Sequence, residues 1–572
     1  MSSYLKTLPL ATQAWCACVA VLLAWHQFQA RKPREATLTL GPYRAAAVAG
    51  LGLGLLGSLS TAIMAGRASS PGAEDAKRTR LVQASADEGS KSNAIVPDEQ
   101  NSLARKVLDR ISPDAQFVLL GEASHGTHDF YQMRADITQL LVKERGFSAV
   151  VVEADFPDAF RANLYARGLS KDATADQALG EFKRFPTWMW RNTVMLDFLD
   201  RLRKHNAAIP PDGRRQHGVG FYGMDVYSLH SSAAKVIEYL EKVDPDAAAT
   251  ARSRYRCFDK FGADTMAVSD KEVLRGHTGL QLTRASQLFS FEEVHPSPLQ
   301  YAYAVGVGRA PSCAEAAVAV LTDVMRRVGR HADEVDGVLG EELAFQARCN
   351  ASVVKGAELY YRSMFFGDEL TWNLRDRHFL STVQAVEEHL AQRGVEHPKL
   401  VLWAHNSHLG DARATDMGQR RGELNIGQLM RETYGPDKVV SIGFTTHTGT
   451  VAAADEWDSP VQLKAVRPSM AGSYEAVLHS AGLPRFALDL RGGPEELREA
   501  LAGPMLERAI GVIYRPSTER QSHYFYCELP RQFDMVIHLD RTQALRPLEL
   551  TGAWETEREA REDAPETYPY GL

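Results

Sequence analysis

Glu122, Ser124, His125 and His128 crowd into Gly121-Glu122-Ala123-Ser124-His125-Gly126-Thr127-His128. A histidine titrates near neutral pH and can take a proton from water. A carboxylate on its other ring nitrogen fixes the tautomer and supports the imidazolium that forms. Glu122 or Glu153 with His125 can make such a pair. Further polar groups recur at Glu153 and Asp155, at Gly223 and Asp225, and in His405-Asn406-Ser407-His408. An arginine facing the same point would stabilise the oxyanion of a tetrahedral intermediate, and Arg134 and Arg375 are the candidates.

The chain has no GxSxG nucleophile elbow and no cysteine with a catalytic signature, which disfavours a covalent intermediate. Ser124 adjoins His125, but neighbours on extended backbone point to opposite sides. Attack by an activated water is the simplest chemistry for this set. A second reading gives Glu122, His125, Glu153, His405 and His408 a metal to hold, although neither HExxH nor HxxEH is present. A third uses the same residues to bind a small apolar ligand or haem without turnover. Each residue also has a plain structural explanation: His128 as a helix-start residue, Arg134 as a salt-bridged side chain, Asp225 as a cap after its strand, and Phe185 to Trp190 as core packing. His523 is balanced between structure and site.

These residues sit where strands end. Phe117 to Leu120 is a short apolar run, partly β-branched, that suits a strand covered on both faces, and the glycines after it permit a sharp turn. Similar runs lie at Gln116 to Leu120, Ala149 to Val152, Val219 to Met224, Lys399 to Trp403, Val439 to Phe444, Phe486 to Leu490, Gly511 to Tyr514 and Asp534 to Leu539. Thr127 can cap a helix with Phe130, Met133, Ile137 and Leu141 on one face, forming a βαβ unit with the strand that ends at Glu153. Between about residues 229 and 372 strand signals give way to helical patterns such as Ala233 to Lys242 and Ala314 to Arg330. The expected fold is therefore α/β, a mixed, mostly parallel sheet flanked by helices, with a helical lobe inserted at about 229–372. Ligands of such sheets bind at the carboxyl ends of strands.

With 65 basic and 72 acidic residues the net charge is −7, so no general basic field exists to hold nucleic acid. Cys16, Cys18, Cys257, Cys313, Cys349 and Cys527 show no CxxC and no regular spacing, which points to neither zinc nor a disulfide framework. Residues 1–66 hold two uncharged segments, 7–30 and 45–66, each long enough to span a bilayer. Arg31, Lys32, Arg34 and Arg44 between them would keep that loop in the cytoplasm and place the rest outside. The expectation is a membrane-anchored or exported catalytic domain, with a cytoplasmic one following if translation starts later. Gly52-Leu53-Gly54-Leu55-Leu56-Gly57 matches GxGxxG, but no strand precedes it and no acidic partner follows. Residues 67–100 read as a flexible linker, 101–552 as the globular part and 553–572 as a solvated tail.

The blocks Gly121 to Thr127 with Phe130 and Arg134, Val152 to Asp155, Gly223 to Ser228, Asn373 to Asp376, Trp403 to Asp411 and Gln532 to Asp534 resemble, in order and spacing, the erythromycin esterase family over roughly residues 100–552. The resemblance implies an α/β core with a helical lobe over a deep cleft, and hydrolysis of an ester or macrolactone by water without a metal or other cofactor. It further implies His125 as general base, supported by Glu122 and Glu153, with Arg134, Arg375 and His405 shaping the site and stabilising charge. His128, Asp225, His408 and Asn406 are the expected substrate contacts. Macrolide inactivation, and hence antibiotic resistance, is the activity of some family members. The Ser124-His125-Gly126-Thr127 and Ser407-His408-Leu409-Gly410-Asp411 versions look more like a broader group of other substrates.

Overall fold

The apolar runs are buried on both faces, the condition for a parallel sheet covered by helices. The computed structural model describes residues 71–87, 94–97, 102–259, 298–331 and 337–550, apart from 307, 365 and 493, together with 552 and 554. Helices of eight residues or more are numbered. Along the chain run α1 (Pro71–Asp87), β1 (Ala94–Ile95), α2 (Leu103–Arg110), β2 (Phe117–Leu120), α3 (His128–Arg145), β3 (Ala149–Asp155), α4 (Phe156–Ala166), α5 (Thr193–Ala208) and β4 (Gly220–Asp225). There follow α6 (Leu229–Val243), α7 (Pro245–Tyr255), α8 (Pro298–Gly306), α9 (Ala314–His331), α10 (Gly337–Ser363) and α11 (Asp368–Gln392). The chain continues through β5 (Leu400–Trp403), α12 (Ile426–Tyr434), β6 (Val439–Ala453), β7 (Gln462–Val466), β8 (Arg485–Asp489), β9 (Met505–Arg508), β10 (Tyr524–Cys527) and β11 (Met535–Thr542).

Nine strands form one sheet in the order β1-β8-β11-β6-β2-β5-β3-β4, with β7 added to β6. The six from β11 to β4 are mutually parallel, while β8 and β7 run antiparallel to their partners, so the sheet is mixed and mostly parallel. Alternation of side chains splits each central strand between two cores. Val118, Leu120, Val150, Val152, Val401 and Trp403 pack with α2, α3 and α5 on one face. Phe117, Leu119, Ala149, Val151, Leu400 and Leu402 pack with α4, α10, α11 and α12 on the other. Between β4 and β5 the chain leaves the sheet as α6 to α10, which share a core of their own around Val236, Tyr301, Val320 and Tyr361. α10 serves both cores, since its Phe345 and Val353 belong to the sheet face while its Val354 and Tyr361 belong to the lobe.

The structure corrects several expectations. β5 lies between β2 and β3, so the βαβ unit around α3 joins strands that are not neighbours. Thr127 precedes α3 without a side-chain cap, because its hydroxyl is 2.5 Å from that of Ser124. Within the stretch expected as a linker, α1 buries Val82 and donates from Arg78 Nε to Ala500 O, and β1 extends the sheet edge. Gly511 to Tyr514 is no strand and makes only an isolated bridge from Ile513 to Ala454. The strand there is β9, which pairs with β10 in a separate two-stranded sheet. Cys257 and Cys313 form a disulfide in the lobe with Cα atoms 6.0 Å apart, where the spacing suggested no cross-link. Trp554, at the start of the expected tail, is buried in the core.

Residues 7–30 and 45–66 lie outside the described residues, as does nearly all of 553–572. Among the described residues no helix is long and apolar enough to cross a membrane.

Two glycines shape the exit from β2. Gly126 takes φ +68, which side chains rarely adopt. Gly121 is needed for space, since a Cβ there would lie 2.2 Å from Asn406 Oδ1, and that amide is pinned by the backbone of Phe444. Gly121→Ala is therefore expected to lower stability by about 1–3 kcal/mol in urea denaturation. An unchanged unfolding midpoint would show that the strand ends have room to part.

Candidate active site

At the end of β2 the Glu122 side chain is 1% exposed, and both of its oxygens are used. Oε2 accepts from Arg134 Nη2 at 3.0 Å, and Oε1 lies 2.8 Å from His125 Nδ1. A carboxylate can only accept, so Nδ1 carries the proton, and in the neutral ring Nε2 is the open lone pair. His125 lines a cleft of about 460 Å³. Its backbone is held from behind, the His125 amide donating to Ile510 O and the Ile510 amide to Ala123 O. Burial pushes the imidazole down, but the charge and hydrogen bond of Glu122, aided by Glu153, outweigh it and leave the ring above its usual value of 6.5.

At the ends of β3 and β4, Arg375 joins the carboxylates. It donates from Nε and Nη2 to Asp225 at 2.9 and 2.7 Å, and from Nη2 to Glu153 at 2.8 Å. Its Nη1 lies 2.9 Å from His408 Nε2. His408 Nδ1 faces Asp376 at 2.9 Å, and its ring stacks on Trp372 with centroids 4.4 Å apart. Burial works to neutralise Glu153, yet His408, Arg375, His125 and the His405 amide together hold it well below the usual carboxylate range.

His405 follows β5 and, unlike His125, has no carboxylate hydrogen-bonded to its ring among the described residues. Its Nδ1 accepts from the Ser407 amide at 3.2 Å and lies 2.8 Å from the Ser407 hydroxyl. The proton therefore sits on Nε2, 3.3 Å from Ala123 O. Burial, reinforced by His125, pushes its pKa down to about 3, so this ring stays neutral. The two imidazoles face each other with centroids 4.9 Å apart. The pair offers one basic nitrogen and one neutral N–H donor side by side in the cleft lining.

The cleft brings together His125, Glu153, Asp225, Arg375, His405 and His408. Of the other four expected residues, Glu122 stands behind His125 and three stand elsewhere. Arg134 is 1% exposed behind Glu122, its guanidinium 4.2 Å from the Tyr131 ring centre and 5.1 Å from that of Trp403, so it orients Glu122 and does not meet an oxyanion. Asn406 turns inward, its amide bridging Phe444 and Glu507. His128 opens α3 and does not line the cleft. His523 is buried against Tyr514 and accepts from the Arg515 amide.

Sequence reasoning missed Arg184 and Ser407 as cleft residues. Arg184 directly precedes the aromatic stretch Phe185 to Trp190, of which Phe185, Pro186, Met189 and Trp190 line the cleft, and that adjacency was the available signal. Among the described residues no group of three or more His, Cys, Asp or Glu side chains converges as a metal-ligand set.

The family described as erythromycin esterase matches residues 142–542. A solved protein from Bacillus cereus is 17% identical, with TM-score 0.60 over 83% of this chain and 99% of that one. A succinoglycan biosynthesis protein is 18% identical, with TM-score 0.58 over 82% and 98%. A mutant of the erythromycin esterase EreC in its open conformation is 16% identical, with TM-score 0.51 over 78% and 95%. At these identities the likeness is one of fold.

If the Glu122 carboxylate is what raises His125, Glu122→Gln moves the titration midpoint of the His125 ring protons downward in NMR. A midpoint that stays in place would assign the shift to another group.

Proposed function

The chain belongs to the erythromycin esterase family, and on that premise we propose that it hydrolyses an ester or lactone with a water molecule activated by His125. One observation carries the reading: an imidazole raised in basicity by a buried carboxylate lines the cleft beside a second imidazole that is too weak a base to compete. His125 Nε2 takes a proton from water as the oxygen attacks the carbonyl carbon. Glu122, itself fixed by Arg134, supports the imidazolium. The oxyanion accepts from His405 Nε2–H, whose bond to Ala123 O is long and easily exchanged. Collapse breaks the C–O bond, and His125 returns its proton to the leaving alkoxide. Arg375 cannot turn freely toward the oxyanion, because Asp225, Glu153 and His408 occupy all three of its nitrogens. It sets the charge of the wall instead.

The aromatic wall of Phe182, Phe185, Trp190 and Trp457 suits an apolar body such as a macrolactone ring, and macrolide inactivation is the activity this would serve. The reading requires His125→Ala to cut kcat on p-nitrophenyl acetate or erythromycin by about 10²–10⁴-fold, with wild-type turnover untouched by chelators. Loss on chelation with recovery on adding zinc would replace it with a metal mechanism. The base works only when neutral and its pKa lies above 6.5, so kcat/KM should climb with pH through a midpoint above that value.

We also place the catalytic unit outside the cytoplasm. The Cys257–Cys313 disulfide supports this, because such bonds persist in oxidising compartments, as do the uncharged segments 7–30 and 45–66. Alkaline phosphatase joined after Gly66 is expected to be active in bacterial cells, and an inactive fusion would return the enzyme to the cytoplasm.

A further inference from the structure

Two arginines on the cleft wall are clamped by aspartates. Arg184 gives Nε and Nη2 to Asp155 at 2.7 and 2.9 Å, in the same side-on manner that Arg375 uses toward Asp225. Both guanidiniums lie over Tyr227, 5.1 and 4.9 Å from its ring centre. Such pairing fixes the guanidinium plane and balances its charge.

The third nitrogen distinguishes them. Nη1 of Arg375 is engaged with His408. Nη1 of Arg184 makes no hydrogen bond among the described residues, and the side chain lines the cleft with 18% exposure. Its carrier is firmly held, since Phe185 packs on Trp188 at 5.0 Å and on Trp457 at 4.7 Å between ring centres. Arg184 shares no hydrogen bond with Glu122, His125, Glu153 or His405 among the described residues, and it stands at the start of the segment whose Phe185, Met189 and Trp190 line the aromatic side of the cleft.

We propose that Arg184 determines specificity by donating Nη1–H to a hydrogen-bond acceptor on the part of the substrate that lies along the aromatic wall, away from the bond that is cut. This rests on the hydrolase reading above. The cleft lining holds five carboxylates against three guanidiniums, so the partner is a neutral oxygen, hydroxyl, ether or carbonyl, rather than a carboxylate or phosphate. A rigid donor with its charge already balanced can bind such an oxygen without reorganising.

The test compares wild type with Arg184→Gln and Arg184→Lys on erythromycin, which carries many hydroxyl and ether oxygens, and on p-nitrophenyl acetate, which fills little beyond the reacting centre. Both variants should raise KM for erythromycin about tenfold or more while kcat stays within about twofold, and leave both constants for p-nitrophenyl acetate in place. The lysine variant keeps a cation against Asp155 but lacks the guanidinium fork, so it controls for folding. Equal losses on the two esters, a fall in kcat alone, or no change overturns the inference. If wild-type protein cleaves neither ester, the hydrolase reading itself fails. Wherever erythromycin is not cleaved, calorimetric binding decides: about tenfold weaker binding to the variants supports the role of Arg184, and equal affinities, or none in wild type, overturn it.

Discussion

A carboxylate taken out of water must find partners for both oxygens, and Glu122 finds Arg134 on one side and His125 on the other. Breaking a buried pair of this kind costs about 3–5 kcal/mol, because the remaining charge is stranded. That constraint organises much around it. It requires β2 to release its chain beside α3, so that Arg134 can reach back between Tyr131 and Trp403. It requires room at Gly121, where Asn406 locks β6 to the loop after β5. It also fixes which nitrogen of His125 is left for chemistry.

The same economy of charge explains why two histidines 4.9 Å apart behave differently. His125 faces a carboxylate and is raised, whereas burial, reinforced by the neighbouring His125, drives His405 down to about 3. Two cations in so dry a place would repel each other, which adds to the burial that keeps His405 neutral. Farther out, Arg375 balances the carboxylates of Glu153 and Asp225. Glu153 stays ionised because Arg375 and His408 are beside it. Tyr227 lies against the guanidiniums of Arg375 and Arg184 and gives the wall a single stiff surface.

Much of this was legible in the residues. The central strands announced themselves as short apolar runs, because a strand buried on both faces has no polar side to interrupt it. The polar residues after them belonged to the site, because the parallel strands place all their carboxyl ends along one edge. What escaped was whatever depended on partners far away in sequence. α1 has too few apolar residues to show a period, and it is held by Val82 and one arginine reaching Ala500. Gly511 to Tyr514 has the composition of a strand but only bridges the backbone of Ala454, next to the Ile510 bonds that hold the loop of His125. Arg134, Asn406 and His128 have the right chemistry for a site, yet they project behind the loop or open a helix, and composition carries no direction.

The sequence by itself determined that a carboxylate and a histidine three residues apart would leave a buried strand together, and that later strand ends would bring more of their kind. Such local spacing and apolar patterning are properties of neighbouring residues. Only the tertiary structure decided which histidine is basic, which arginine meets the cleft and which props up a carboxylate from behind. Those outcomes turn on burial and on the few ångströms between groups more than two hundred residues apart, and both are set by how the strands are ordered in the sheet.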